Sequence, residues 1–189
     1  MSLRLSGGRR LQSPPGDIAR PTPSRVRLAV MNMLAAELSG CRWLDLFCGS
    51  GVMGCEALQH GASHVVAVDQ HRAMAATARA NLELVAAAQT PRPLVEVISQ
   101  EVMRWLQQAR PDGMDPFQVI YADPPYAAGL YGAVAEAIAQ GGWLSQHGVL
   151  LLECSSGDAA GLAALAEVGW RLLKHKRYGS SSVLMLEAA

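Results

Sequence analysis

Cysteine is scarce in this sequence and badly spaced for chemistry: Cys41, Cys48, Cys55 and Cys154 form no Cys-x-x-Cys pair and no zinc-type spacing. That argues against a disulfide framework or a thiolate metal site, and leaves small, reduced, buried side chains as the expectation. No uninterrupted apolar run approaches the roughly 20 residues of a membrane span, and Met1 to Asp17 holds no apolar segment of the secretory type. The expected location is therefore the cytoplasm. Net charge is missing as well, since 16 basic and 16 acidic side chains cancel. There is no internal repeat, and the alanine-rich stretches are accounted for by helix propensity. Nothing in the sequence offers a metal-ligand cluster or an activated covalent nucleophile.

What is present is a core. With 189 residues, 50% of them hydrophobic and 17% charged, the chain has the size and composition of one globular domain. The zero net charge hides an asymmetry. Residues 1–36 carry Arg4, Arg9, Arg10, Arg20, Arg25 and Arg27 against Asp17 alone, a charge of +5. Residues 37–170 sum to −8 and residues 171–189 to +3, the latter including Lys174 and Lys176. Two basic ends around an acidic middle suit a polyanion whose counterions they displace, and equally describe solvated surface.

The first 23 residues are rich in Gly, Pro, Ser and Arg and read as a basic arm or small hairpin outside the main core; residues 24–189 read as one domain. A helix is predicted from Ser24, with Val26, Val30, Met33 and Leu34 on one stripe and Thr22 or Ser24 as its cap. Strand-like runs follow at 42–47, 64–68, 94–98, 117–122 and 149–153. They alternate with helical stretches at about 53–60, 71–87, 101–109, 130–140 and 158–167. Such alternation predicts an α/β fold, a parallel sheet with helices on both faces. Two further runs, 170–176 and 182–186, are too close together for a helix between them and predict an antiparallel hairpin on one sheet edge.

Leu44 to Gly54 reads Leu-Asp-Leu-Phe-Cys-Gly-Ser-Gly-Val-Met-Gly. Gly49, Gly51 and Gly54 match G-x-G-x-x-G, and Asp69 closes the next strand, where an acid meets ribose hydroxyls. Two cofactor classes fit this spacing: a dinucleotide or S-adenosyl-L-methionine. Charge separates them. Asp45 at the end of the first strand would oppose a pyrophosphate by roughly several kcal/mol in a partly dry site, whereas an ammonium and a sulfonium suit it. Glu101 and Val102, after the third strand, have two readings: contacts to adenine, or a helix N-terminus.

The fourth strand ends on Asp123-Pro124-Pro125-Tyr126. Neither proline has an N–H, so the ladder stops and leaves a rigid rim of acceptors beside an aromatic ring. An exocyclic amino group is a poor nucleophile because its lone pair is delocalised. The Asp123 carboxylate and the Pro124 carbonyl can take its hydrogens and stabilise the charge that develops on nitrogen, while Tyr126 offers a face for stacking an extruded base.

The glycine loop with Asp45 and the Asp123-Pro124-Pro125-Tyr126 motif resemble the Rossmann-like class I S-adenosylmethionine-dependent methyltransferases that act on amino groups. Over nearly its full length the chain resembles the RsmD family, in Leu5-Ser6-Gly7-Gly8, 20–27, 44–62, Val68-Asp69, 121–126 and Gly142-Trp143-Leu144. The resemblance implies a seven-stranded sheet and methylation of a guanine N2 amino group in bacterial small-subunit ribosomal RNA, free or in a partly assembled subunit. It implies catalysis at Asp123, Pro124, Pro125 and Tyr126, and cofactor contacts at Asp45, Phe47, Gly49, Ser50, Gly51, Asp69, Gln70, Glu101, Val102 and Thr22. RNA contacts are expected at Arg9, Arg10, Arg20, Arg25, Arg27, Lys174 and Lys176. A DNA adenine or cytosine amino-methyltransferase and a protein glutamine methyltransferase use related chemistry. The chain has no insertion of the size that sequence-specific DNA readers need.

Overall fold

The computed structural model describes residues 3–13, 22–108, 110–111, 113–125, 129–157, 165 and 169–189. Within them the order is α1 (Ser24–Met33), β1 (Arg42–Leu46), α2 (Val52–Gln59), β2 (His64–Asp69), α3 (Arg72–Ala86), β3 (Leu94–Ser99), α4 (Val102–Leu106), β4 (Phe117–Ala122), α5 (Tyr131–Gln140), β5 (Leu144–Ser155), β6 (Trp170–Tyr178) and β7 (Ser181–Ala188). The seven strands form one sheet in the order β3-β2-β1-β4-β5-β7-β6. Strands β1 to β5 pair in parallel, and β7 runs antiparallel to both β5 and β6. This is the α/β sheet with a terminal hairpin that the alternation predicts. Among the described residues no helix is long and apolar enough to cross a membrane.

Strand residues alternate between two cores. Trp43, Val65, Ala67, Val119 and Tyr121 pack on the side covered by α1, α2 and α3. Leu44, Leu46, Val66, Val68 and Ile120 pack on the side of α4 and α5. Burial on both faces explains why β2 is buried along its whole length and carries an almost unbroken apolar run.

Several local expectations change. Strand β5 begins five residues before the expected start, because residues 144–148 stay extended across an irregular register with β4. Pro23, not Thr22 or Ser24, is the N-cap of α1, and no side chain caps it. Met31 lies in the core in place of Met33, which is half-buried. Helix α4 ends at Leu106. The helix expected over 158–167 lies outside the described residues except for Leu165, which is buried.

The arm also packs more closely than its composition suggests. Arg4 bridges Arg10 in a short hairpin, and Leu3, Leu5 and Leu11 bury themselves in the first core. A buried ion pair ties it down: the Arg27 Nε donates to Glu56 Oε1 at 3.1 Å, with the side chains 6% and 0% exposed. Glu56 also accepts from the Ser6 N–H and hydroxyl, while the Arg27 guanidinium donates to the carbonyls of Thr22 and Arg4. Arg27 therefore has no face for a polyanion, which corrects its assignment to RNA binding. It joins the hairpin, α1 and α2.

Candidate active site

The chain runs outward from β1 through β2 to β3, then returns to place β4 on the other side of β1. The strand order thus reverses between β1 and β4, and open α/β sheets bind ligands outside the carboxyl ends of such strands. A cavity of about 670 Å³ lies there, in the size range of cofactor sites.

One wall is the glycine loop. After β1 the backbone turns at Phe47, whose φ of 59° lies in the left-handed region that a bulky side chain enters only at a cost. Gly51 has φ 73° and forms the N-cap of α2; a Cβ there would lie 3.0 Å from the Ala78 Cβ. A Cβ on Gly54 would lie 2.9 Å from Val65 Cγ1. These two glycines allow α2 and α3 to close on the loop, while Gly49 faces open space. The loop is held from behind by Asn81, which is fully buried and donates to the carbonyls of Ser50 and Gln12. Asp69 accepts from the backbone N–H groups of Gly49 at 2.9 Å and His71 at 2.8 Å, so the end of β2 is tied to the loop.

Asp45 does not line the cavity. It is 1% exposed beneath the loop and accepts from the Gly54 N–H at 3.0 Å. Burial pushes its carboxyl well above the usual range, the Gly54 bond opposes this, and Asp123 and Asp69 add to it. Its expected direct contact with a cofactor is corrected to support of α2. Glu101 accepts from the backbone N–H groups of Met103 and Arg104, so the helix-cap reading is realised, and it also lines the cavity.

The opposite wall comes from β4 and β5. Asp123, Pro124 and Pro125 line it together with Glu153. Burial first and Glu153 second push the Asp123 carboxyl up to about 7. The Tyr121 hydroxyl donates to Glu153 Oε2 at 2.5 Å. Burial, followed by Glu153 and Asp123, holds the phenol well above its ordinary value, so it stays a donor.

Thr22, Arg25, Phe47, Gly49, Ser50, Asp69, Gln70, Glu101, Val102 and Asp123 to Pro125 thus come together around one cavity. Gly51 supports the loop without lining it. Arg9, Arg10, Lys174 and Lys176 are exposed. Tyr126 and Arg20 lie outside the described residues. Sequence reasoning misses Glu153, Tyr178, Ser180 and Ser181, which also line the cavity. One signal was available for Glu153: an acid ending the leucine run 150–152 parallels Asp123 after its own apolar strand.

A sheet of this order, with a glycine loop after β1 and an acid-proline-proline rim after β4, defines a Rossmann-like protein of the methyltransferase class. The family model described as "Conserved hypothetical protein 95" matches residues 5–187. "Ribosomal RNA small subunit methyltransferase D" of Escherichia coli (strain K12) is 30% identical over 155 residues, 80% of this chain and 74% of that protein. The chain belongs to this family, the RsmD family. The solved structure of yhhF from Escherichia coli is similar with a TM-score of 0.76 at 26% identity, covering 100% of this chain and 98% of that one. SMU.776, solved in complex with SAH, shares the fold at 15% identity and a TM-score of 0.68, over 86% of this chain and 48% of its own.

Proposed function

We propose that this chain transfers a methyl group from S-adenosyl-L-methionine to the exocyclic N2 amino group of a guanine in bacterial small-subunit ribosomal RNA, in the cytoplasm. The observation that carries the reading is a single cavity joining the glycine loop to Asp123-Pro124-Pro125. The name of the Escherichia coli relative supports the substrate class, and the SAH held by SMU.776 agrees with the cofactor.

The lining chemistry fits a cationic cofactor. Asp69, Glu101, Asp123 and Glu153 line the cavity, against Arg25 and His71 among the described residues. A pyrophosphate would be repelled there, whereas an ammonium and a sulfonium would not. The segment from Phe47 to Ser50, with Thr22, would hold the amino-acid part, and Asp69, Gln70, Glu101 and Val102 the nucleoside. When bound, the cofactor supplies the electrophilic methyl group.

The protein's own work is done at the acceptor. Asp123 and the Pro124 carbonyl accept the amino hydrogens, which localises the nitrogen lone pair and stabilises the positive charge that grows there. This role needs the ionised carboxylate. Because Asp123 is pushed up to about 7, kcat/KM should rise with pH and level off above that value. A profile that stays flat across about pH 5.5 to 8.5 counts against the role.

RNA would approach over exposed basic residues. Strand β6 carries Lys174, Lys176 and Arg177 toward Tyr178 at the cavity, and Arg9 and Arg10 lie on the exposed arm hairpin. Replacing Arg9, Arg10 and Arg20 together by alanine should weaken RNA binding and lower the slope of log K against log salt by roughly 2, measured by filter binding. An unchanged slope makes the arm plain surface.

The decisive experiment compares ribosomal RNA from cells with and without the gene by mass mapping of modified nucleotides, beside transfer of labelled methyl to RNA, DNA and protein. A methylguanine missing from small-subunit RNA is the expected result. Labelling of DNA or protein alone overturns the proposal.

A further inference from the structure

Glu153 is 3% exposed, on the last stretch of β5, yet it lines the cavity beside Asp123. Ala122 pairs with Leu152 across β4 and β5, and Asp123 and Glu153 are the residues that follow each of them. Two neighbouring acids, Glu153 buried and Asp123 half-buried, are unfavourable for folding, and an apolar residue at position 153 would be easier to accommodate. Glu153 is moreover oriented: the Tyr121 hydroxyl donates to its Oε2 at 2.5 Å. A carboxylate has about four lone-pair sites, so a bond from a phenol does not by itself saturate such a group.

The inference rests on the proposed reading of the site as an amino-group acceptor pocket. We propose that Glu153 is the specificity-determining residue for the base, accepting the ring N1–H of guanine while Asp123 and the Pro124 carbonyl take the hydrogens of its N2 amino group. Guanine alone among the common bases with an exocyclic amino group places a ring N–H next to it, a continuous row of donors. In adenine and cytosine the amino group stands beside a bare ring nitrogen. A glutamine amide likewise has an acceptor, its carbonyl, beside its amino group. Two adjacent carboxylates would set lone pair against lone pair with each of these, so the same pair of acids that suits guanine rejects the alternatives. Discrimination of this kind comes from leaving a buried polar group mispaired, and is larger than shape alone provides.

The test uses 2-aminopurine, which keeps the 2-amino group and replaces N1–H by a bare acceptor. The nucleotide methylated in small subunits from cells lacking the gene is mapped first. Its RNA segment is then synthesised with guanosine or 2-aminopurine riboside at that position, ligated into the full RNA and reconstituted into subunits. Wild-type protein should methylate guanosine at least about 50-fold faster than 2-aminopurine in kcat/KM. In Glu153→Gln the amide oxygen can keep the Tyr121 bond while the NH2 faces the bare N1, so the ratio should narrow or invert. Equal wild-type rates on the two bases, or an unchanged ratio in a Glu153→Gln protein that still binds S-adenosylhomocysteine, overturns the role of Glu153 and leaves the proposed function standing. Absence of any methyl transfer to guanosine overturns the proposed function itself. If Glu153→Gln loses its fold, the wild-type ratio decides.

Discussion

Replacing Asp123 by alanine should lower kcat for methyl transfer by about a thousandfold, while affinity for S-adenosylhomocysteine changes less than about threefold. The carboxylate acts where positive charge grows on the amino nitrogen. The glycine loop after β1, Asp69 at the end of β2 and Glu101 at the cap of α4 do not depend on it for these hydrogen bonds. Single-turnover rates and calorimetric titration separate the two effects. Near-normal turnover, or a parallel collapse of cofactor binding, would remove Asp123 from the acceptor role. The same variant has a stability signature. Burial and Glu153 raise the Asp123 carboxyl from 3.8 to about 7, with Asp45 and Tyr121 also facing it. A folded value above the unfolded one favours the fold while the group is protonated. That contribution is complete below about pH 4 and is lost as pH rises through about 7. Asp123→Ala should therefore melt at a higher temperature than wild type at about pH 8, with the difference vanishing near pH 4. A wild type that is the more stable of the two at the higher pH would contradict the burial argument.

The second large effect is expected far from the chemistry. Arg27→Ala should destabilise the protein by about 3–5 kcal/mol, because it removes one partner of a buried ion pair and leaves the fully buried Glu56, among the described residues, with Ser6 as its remaining donor. Urea unfolding should show a lower midpoint at an unchanged slope. A double replacement of Arg27 and Glu56 by methionine and leucine should recover most of the loss, since it removes both charges together. A loss below about 1 kcal/mol in Arg27→Ala would mean that the pair is not buried in solution. The change should also reach the cavity. Arg27 holds the Thr22 carbonyl, and Thr22 lines the cavity opening near Arg25.

The parts of this molecule legible in its sequence are those set by neighbours along the chain. The alternation of apolar strands with amphipathic helices follows from local periodicity, and so the α/β sheet and the terminal hairpin can be read directly. Gly49, Gly51 and Asp69 are legible because a tight turn between strand and helix imposes their spacing. The proline pair after Asp123 is legible because it ends a strand whatever surrounds it. Side-chain direction and partner choice are a different matter. Asp45 has the spacing of a ligand contact, yet strand parity points it at the face packed by α2, where the Gly54 N–H takes it. Glu101 stands where two readings compete, and it accepts from the N–H groups of Met103 and Arg104 at the start of α4.

Charge counting fails in a similar way. By composition Arg27 belongs to a basic arm, but its partner is 29 residues away on another helix. Leu3, Leu5 and Leu11 are too few to announce a core segment, and they are buried because the hairpin brings them onto one side. The sequence by itself determined the sheet, the glycine loop and the acid-proline rim, since each depends on short-range sterics and periodicity. Only the tertiary structure decided that Glu153 stands beside Asp123, that Asp45 lies beneath the loop and that Arg27 is enclosed. Those placements depend on strand order and on burial between distant segments, and it is burial that turns an ordinary carboxylate into a group with a raised pKa and a defined partner.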